Sequence, residues 1–157
     1  MQGACEPRTV PGAEKQRHAV VVARFNSDIT HAMRDGALAE LRRAGVPESS
    51  VEVFEVPGAF ELGFTARVLA LTGKYSAVTC LGCVIRGDTD HYDFVAGQAA
   101  ELIGRAGFET GIPVIFGVLT THTHKQAEER AFRDNKGGEA ASCAMEMAAI
   151  VERAGRK

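Results

Sequence analysis

The stretch from Ser76 to Ile85, SAVTCLGCVI, is almost unbroken apolar sequence. A strand with one wet face alternates apolar and polar residues. A run like this one must be buried on both faces, which is the signature of a central strand in a parallel sheet. The rest of the chain fits that demand. Apolar runs at His18–Phe25, Ser50–Val56 and Ile112–Thr120 are each followed by a segment of helical periodicity. Helices are expected at Ile29–Ala44, ending at Gly45, and, after a sharp turn at Pro57 and Gly58, in a segment that ends at Gly73 and carries Glu61 in its first turn. Further helices are expected at about His91–Gly107, at Lys125–Ala131 and at Gly138–Arg153, the last with a small-residue face of Ala140, Ala141, Ala144 and Ala148. Asn26, Ser27 and Asp28 supply an N-cap for the first. This β-α alternation predicts an α/β fold, a three-layer sandwich whose four-stranded parallel sheet carries helices on both faces through right-handed crossovers.

Ligands in such folds bind beyond the carboxyl ends of the strands. Chemistry is therefore expected just after Phe25, Val56, Ile85 and Gly117. The apolar run above ends in RGDTDHYDFV, so its sharp change of character falls at that edge. At the first strand end, Phe25 either caps the core or lies against a planar ligand, with Asn26 beside it to hydrogen-bond. At the second, Pro57 and Gly58 make a tight turn, and Glu61 either complements the helix dipole or accepts from ligand hydroxyls. At the third, Gly87 and Thr89 sit in a turn whose amides can meet an anion. His91 opens the following helix, where the dipole favours the neutral imidazole suited to general acid–base work. At the fourth, Phe116 lies in the strand, while Arg130 and Lys136 are cations able to meet a phosphate or to pair with nearby Glu residues. His122 and His124 form an H-x-H pair without further close ligands, so no metal site is expected. No Walker sequence and no G-x-G-x-x-G occurs, which leaves nucleoside triphosphates and dinucleotides unsupported.

Bulk properties narrow the partners. Eighteen Lys and Arg against twenty Asp and Glu leave a net charge of -2, which calls for neither nucleic acid nor an anionic membrane. The 157 residues suit one domain, expected over 18–157, after a flexible arm over 1–17 that has no apolar signal segment. No apolar run approaches a membrane span. Of the four cysteines, Cys80, Cys83 and Cys143 lie in apolar or helical surroundings and are expected to be buried, reduced thiols of a cytoplasmic protein. Cys80 and Cys83 are three apart on a strand, face opposite ways and cannot chelate one ion.

The pieces RFN (24–26), VPGAFE (56–61), GCVIRGDTDHYDFV (82–95), PVIFGVLT (113–120), QAEERA (126–131) and NKGGEAA (135–141) stand in this order. Together the set resembles the 6,7-dimethyl-8-ribityllumazine synthases, over nearly all of the chain from His18 onward. The resemblance implies a flavodoxin-like fold and an enzyme of riboflavin biosynthesis without cofactor or metal. That enzyme condenses 5-amino-6-(D-ribitylamino)uracil with 3,4-dihydroxy-2-butanone 4-phosphate. It further implies homopentamers with active sites between subunits, and riboflavin synthase as a further partner. Carried onto this chain, Phe25 stacks on the pyrimidine with Asn26 nearby. Ala59, Phe60 and Glu61 hold the ring edge and ribityl chain, and Cys83, Val84 and Ile85 line the pyrimidine site. Asp88 and Thr89 hold the phosphate, and His91 transfers protons. Phe116 and Arg130 come from the neighbouring subunit, Arg130 onto the phosphate, and Lys136 helps to bind the pyrimidine. Arg86, Asp90 and Asp93 are left as helix-end and interface residues.

Two departures bear on assembly. The link AFRDNKGG is about two residues shorter than the family's. Pro7 and Pro11 lack the N–H needed to pair the N-terminal segment as an extra strand. Both count against a sixty-subunit capsid and leave a pentamer as the base expectation. Two other functions compete on the same scaffold. A non-catalytic riboflavin or lumazine binder needs neither His91 nor Arg130. A flavodoxin-like electron carrier needs a Ser/Thr/Gly-rich phosphate loop after the first strand, and RFNSDITHAM is a poor one.

Overall fold

The structure, a computed structural model, describes residues 5–155. Its sheet is four-stranded and wholly parallel, in the order β2-β1-β3-β4. The strands are β1 (His18–Ala23), β2 (Val51–Val56), β3 (Ala77–Ile85) and β4 (Val114–Thr121). The helices are α1 (Ser27–Arg43), α2 (Leu62–Leu71), α3 (His91–Thr110), α4 (His124–Glu128) and α5 (Lys136–Arg153). Right-handed crossovers dictate the layers. The step from β1 to β2 runs one way across the sheet and places α1 on one face. The steps from β2 to β3 and from β3 to β4 run the other way and place α2 and α3 opposite. Two cores result. One joins Val21, Val78, Val84 and Val118 to Leu62, Ala66 and Ile103. The other joins Val20, Val22 and Leu81 to Ile29, Met33, Ala141 and Met145.

β3 is buried at every position from Ala77 to Val84, as its unbroken apolar sequence requires. Cys80 belongs to the first core and Cys83 to the second, so the two thiols face opposite ways. Cys143 departs from expectation and is exposed. The packed face of α5 runs through Ala140, Ala141, Ala144, Met145 and Ala148, and Cys143 points off it. Part of the expected arm, from residue 5 onward, is described. Its residues 1–4 lie outside the described residues, but Ala13–Lys15 form a helical turn with Ala13 fully buried. Gln16 is buried as well and donates to the Met145 carbonyl at 3.1 Å. Among the described residues no helix is long and apolar enough to cross a membrane.

Candidate active site

In the order 2-1-3-4 the chain leaves β1 and β3 in opposite directions, and a crevice opens at their carboxyl ends. The loops there are tied across it. The Arg24 N–H donates to Val56 O at 2.8 Å and the Phe25 N–H to Pro57 O at 3.1 Å, so strand pairing continues past β1 and β2. Asn26 then turns the chain with φ of 59°, a conformation that Asn tolerates better than most residues. It occupies the N-cap position of α1 without a side-chain cap bond. Its amide instead donates to Cys83 O at 2.9 Å, pinning the loop to the end of β3. Glu61 accepts from the Gly58 N–H at 3.1 Å, closing the turn after β2.

These loops enclose a cavity of about 740 Å³, within the range of small-molecule sites. Its walls include Phe25, Asn26, Ala59, Phe60, Glu61, Cys83, Val84, Ile85, Thr89 and His91. These residues come from three strand ends and lie up to 66 positions apart (His91 minus Phe25). Glu61 thus bonds the backbone at the helix start and also lines the cavity. Phe25 keeps 73% of its surface exposed, so its ring stands at the mouth and does not cap the core.

Four of the expected site residues are not in this wall. Asp88 is exposed in the turn between the lining residues Gly87 and Thr89. Phe116 is exposed on the edge strand β4. Arg130 lies exposed in the π-helical turn Glu129–Arg133 that continues α4. Lys136 opens α5 and bonds Glu139 Oε2 at 2.7 Å. Conversely, Tyr92, Phe94 and Val95 line the cavity without having been singled out. Helical spacing was the available signal for two of them, since positions three and four after His91 share its face.

The cavity wall is chemically quiet at its thiol. Burial, reinforced by the Asp28 carboxylate, pushes the Cys83 thiol up to about 12, and burial alone does the same to Cys80. Neither is a nucleophile near neutrality. One group among the described residues has metal-ligand spacing: Asp28, His124 and Glu128, all exposed, with ligand atoms within 4.8 Å of one another. His124 Nε2 lies 2.6 Å from Asp28 Oδ2 and Nδ1 lies 3.7 Å from Glu128 Oε1. Both ring nitrogens already face carboxylates, which is the arrangement of a surface ion-pair cluster. His122 is not part of it.

The arrangement offers an aromatic platform, a carboxylate, an apolar slot, an amide-bearing turn and an imidazole around one cavity. Residues 15–152 match the family model for 6,7-dimethyl-8-ribityllumazine synthase. The chain is also 46% identical over 142 residues to a 6,7-dimethyl-8-ribityllumazine synthase of Desulfotalea psychrophila, covering 89% of this chain and 92% of that protein.

Proposed function

The chain belongs to the 6,7-dimethyl-8-ribityllumazine synthase family, it carries out the penultimate step of riboflavin biosynthesis, and we propose how its residues divide that work. The ribitylaminouracil lies in the apolar slot beside Cys83, Val84 and Ile85, with its ring against Phe25 and its ribityl hydroxyls towards Glu61. Asn26, Ala59 and Phe60 complete the ring edge. The phosphate of the butanone sits on the turn at Asp88 and Thr89. The uracil amine attacks the ketone to give an imine and water, phosphate leaves by elimination, and the ribityl-bearing nitrogen closes the ring on the remaining carbonyl with loss of a second water. His91 moves protons in these steps, and much of the remaining acceleration is the pairing of two bound substrates. The observation that carries this reading is the single cavity in which Phe25, Glu61, Cys83 and His91 converge from three separate loops.

The same reading makes the working unit a pentamer, acting in the cytoplasm, in which Phe116 and Arg130 of one subunit complete the cavity of the next. Lys136 would assist at the pyrimidine. Two observations support this assembly. Phe116 and Arg130 lie outside their own chain's cavity. Phe64, Val68 and Leu71 are exposed at helical spacing along α2, and Phe94 and Phe108 are exposed on α3, Phe108 to 93%. Exposed large apolar side chains at helical spacing, as on α2, fit a contact face. The decisive experiment mixes both substrates with purified protein and follows lumazine fluorescence together with phosphate release. Both signals should rise in step. A yellow, flavin-loaded protein that releases no phosphate would instead be a binder on the same scaffold.

A further inference from the structure

The turn between β3 and α3 carries the proposed phosphate site and the proton carrier, yet it is weakly tied. Residues 86–91 are all exposed. Asp90, at the N-cap of α3, makes no side-chain cap bond. The His91 N–H reaches Thr89 Oγ1 only at 3.4 Å. The firm connection is made from outside by Arg86. Its own N–H donates to Thr121 O at 2.8 Å, which holds the residue to β4. Its side chain then crosses the turn. Nη2 donates to Asp93 Oδ1 at 3.0 Å, and the guanidinium carbon lies 4.5 Å from the centre of the Tyr92 ring. Tyr92 lines the cavity and packs on the core beneath α2 and α3.

We propose that Arg86 is a positioning residue for the butanone phosphate: its guanidinium latches the first turn of α3 to the end of β3 and thereby fixes Gly87–Thr89 and His91. This rests on the phosphate assignment above. The latch uses properties that are particular to arginine. A planar fork can bond a carboxylate along one edge while a ring stacks on its face, which an ammonium group cannot do. Without it, a turn beginning at Gly87 samples many conformations, and the amides and hydroxyl that meet the phosphate must be ordered at each binding event.

A charge effect and a latch predict opposite signs at Asp93. If Arg86 acted only by attracting the phosphate dianion, removing the nearby Asp93 carboxylate would tighten phosphate binding. If it acts as a latch, removing either end loosens the turn and weakens binding. The experiment therefore compares wild type with Arg86→Met, Arg86→Lys and Asp93→Asn at fixed ionic strength. It measures KM for each substrate, kcat, and the Kd of inorganic phosphate by calorimetry. All three variants should raise the KM for the butanone phosphate and the phosphate Kd: Arg86→Met by about three- to tenfold, the size expected for a solvent-exposed ion pair together with a cation–π contact, and Arg86→Lys and Asp93→Asn by about two- to fivefold, since each keeps part of the latch. The KM for the ribitylaminouracil should stay within about twofold, since its slot is built from the hydrogen-bonded end of β3 and the loops after β1 and β2, ahead of the turn. Unchanged or tighter phosphate binding in Asp93→Asn, or wild-type values in Arg86→Lys, would overturn the latch. An equal rise in both KM values would also overturn it, because that is general damage. Phosphate calorimetry keeps the latch testable even if the wild type failed to condense the substrates, a result that would count against the functional reading alone.

Discussion

His18 opens β1 with no exposed surface, and its imidazole shows how closely protonation and folding are linked in this chain. Gln16 Nε2 donates to Met145 O, so Gln16 Oε1 is the acceptor for His18 Nε2–H at 2.8 Å. Nδ1 is left buried without a hydrogen-bond partner among the described residues. Burial lowers the His18 pKa from 6.5 to about 4. The unfolded chain takes up a proton near pH 6.5, whereas the folded chain resists until about pH 4. Stability is therefore whole above pH 6.5 and is lost as pH falls towards 4, by on the order of 3 kcal/mol from this one group. A His18→Leu variant should show a flatter fall of its unfolding midpoint across that window, measured by urea titration at several pH values. At the cavity, His91→Ala should lower kcat by about tenfold or more, short of the ~10²–10⁴ that a dominant acid–base group supplies, because positioning remains. Wild-type turnover at every pH would remove His91 from the mechanism. Most of the cavity was legible in the sequence, since Phe25, Glu61, Cys83 and His91 each stand at a strand end where the topology aims side chains at one place. Tyr92 and Phe94 were missed because a residue whose ring lines a site looks, in sequence, like any aromatic on an amphipathic helix. The Asp28–His124 contact spans 96 positions, and no local pattern announces it.

Element boundaries show where a residue's meaning depends on its neighbours in space. Gly107 was expected to end α3, yet the helix continues to Thr110, and Gly111 ends it with φ of 71°. Gly107 instead lies against the chain entering β4, where an added Cβ would sit 3.4 Å from Ile112 O. Its smallness serves packing, which sequence cannot distinguish from a stop signal. α5 likewise begins at Lys136, ahead of the expected Gly138, because Asn135 adopts φ of 47° and its side chain accepts from the Gly138 N–H. The first turn of α5 then meets α1 at very close range. A Cβ on Gly137 would collide with the Met33 carbonyl, backbone against side chain, and Gly36 faces the Asn135 amide in the same contact. Gly137→Ala should therefore force the helices apart and lower stability by about 1–3 kcal/mol, the usual penalty of overpacking, read as a drop in the thermal midpoint. Gly104, on the open side of α3 with no described residue within 4 Å of an added Cβ, is the control: Gly104→Ala should be neutral or stabilising by up to about 1 kcal/mol.

At the scale of the molecule, the strand order explains both the cavity and the place of the proposed site residues that lie outside it. The crevice between β1 and β3 gathers three loops, but the fourth strand lies at the edge of the sheet. Its Phe116, and Arg130 in the helical segment beyond it, stay outside the cavity. Phe64, Val68 and Leu71 are exposed on α2, and in the proposed pentamer they form the surface against which a second subunit brings its own Phe116 and Arg130 to the cavity. Phe64→Glu places a charge where an apolar contact is proposed, so it should shift the particle towards monomers in light scattering and remove most condensation activity while the monomer stays folded. A sharper test separates shared from self-contained sites. Arg130→Ala should mainly raise the KM for the butanone phosphate, and His91→Ala should lower kcat. Assayed at low butanone phosphate, each variant alone is therefore slow. If each site takes His91 from one subunit and Arg130 from its neighbour, random one-to-one hybrids regain intact sites wherever an Arg130→Ala subunit's cavity meets a His91→Ala neighbour, about a quarter of all sites. Co-folded mixtures should then exceed the mean of the two parents and approach about a quarter of wild-type activity. If His91 and Arg130 worked within one chain, no mixture could contain an intact site, and activity would follow the mean of the parents at every ratio.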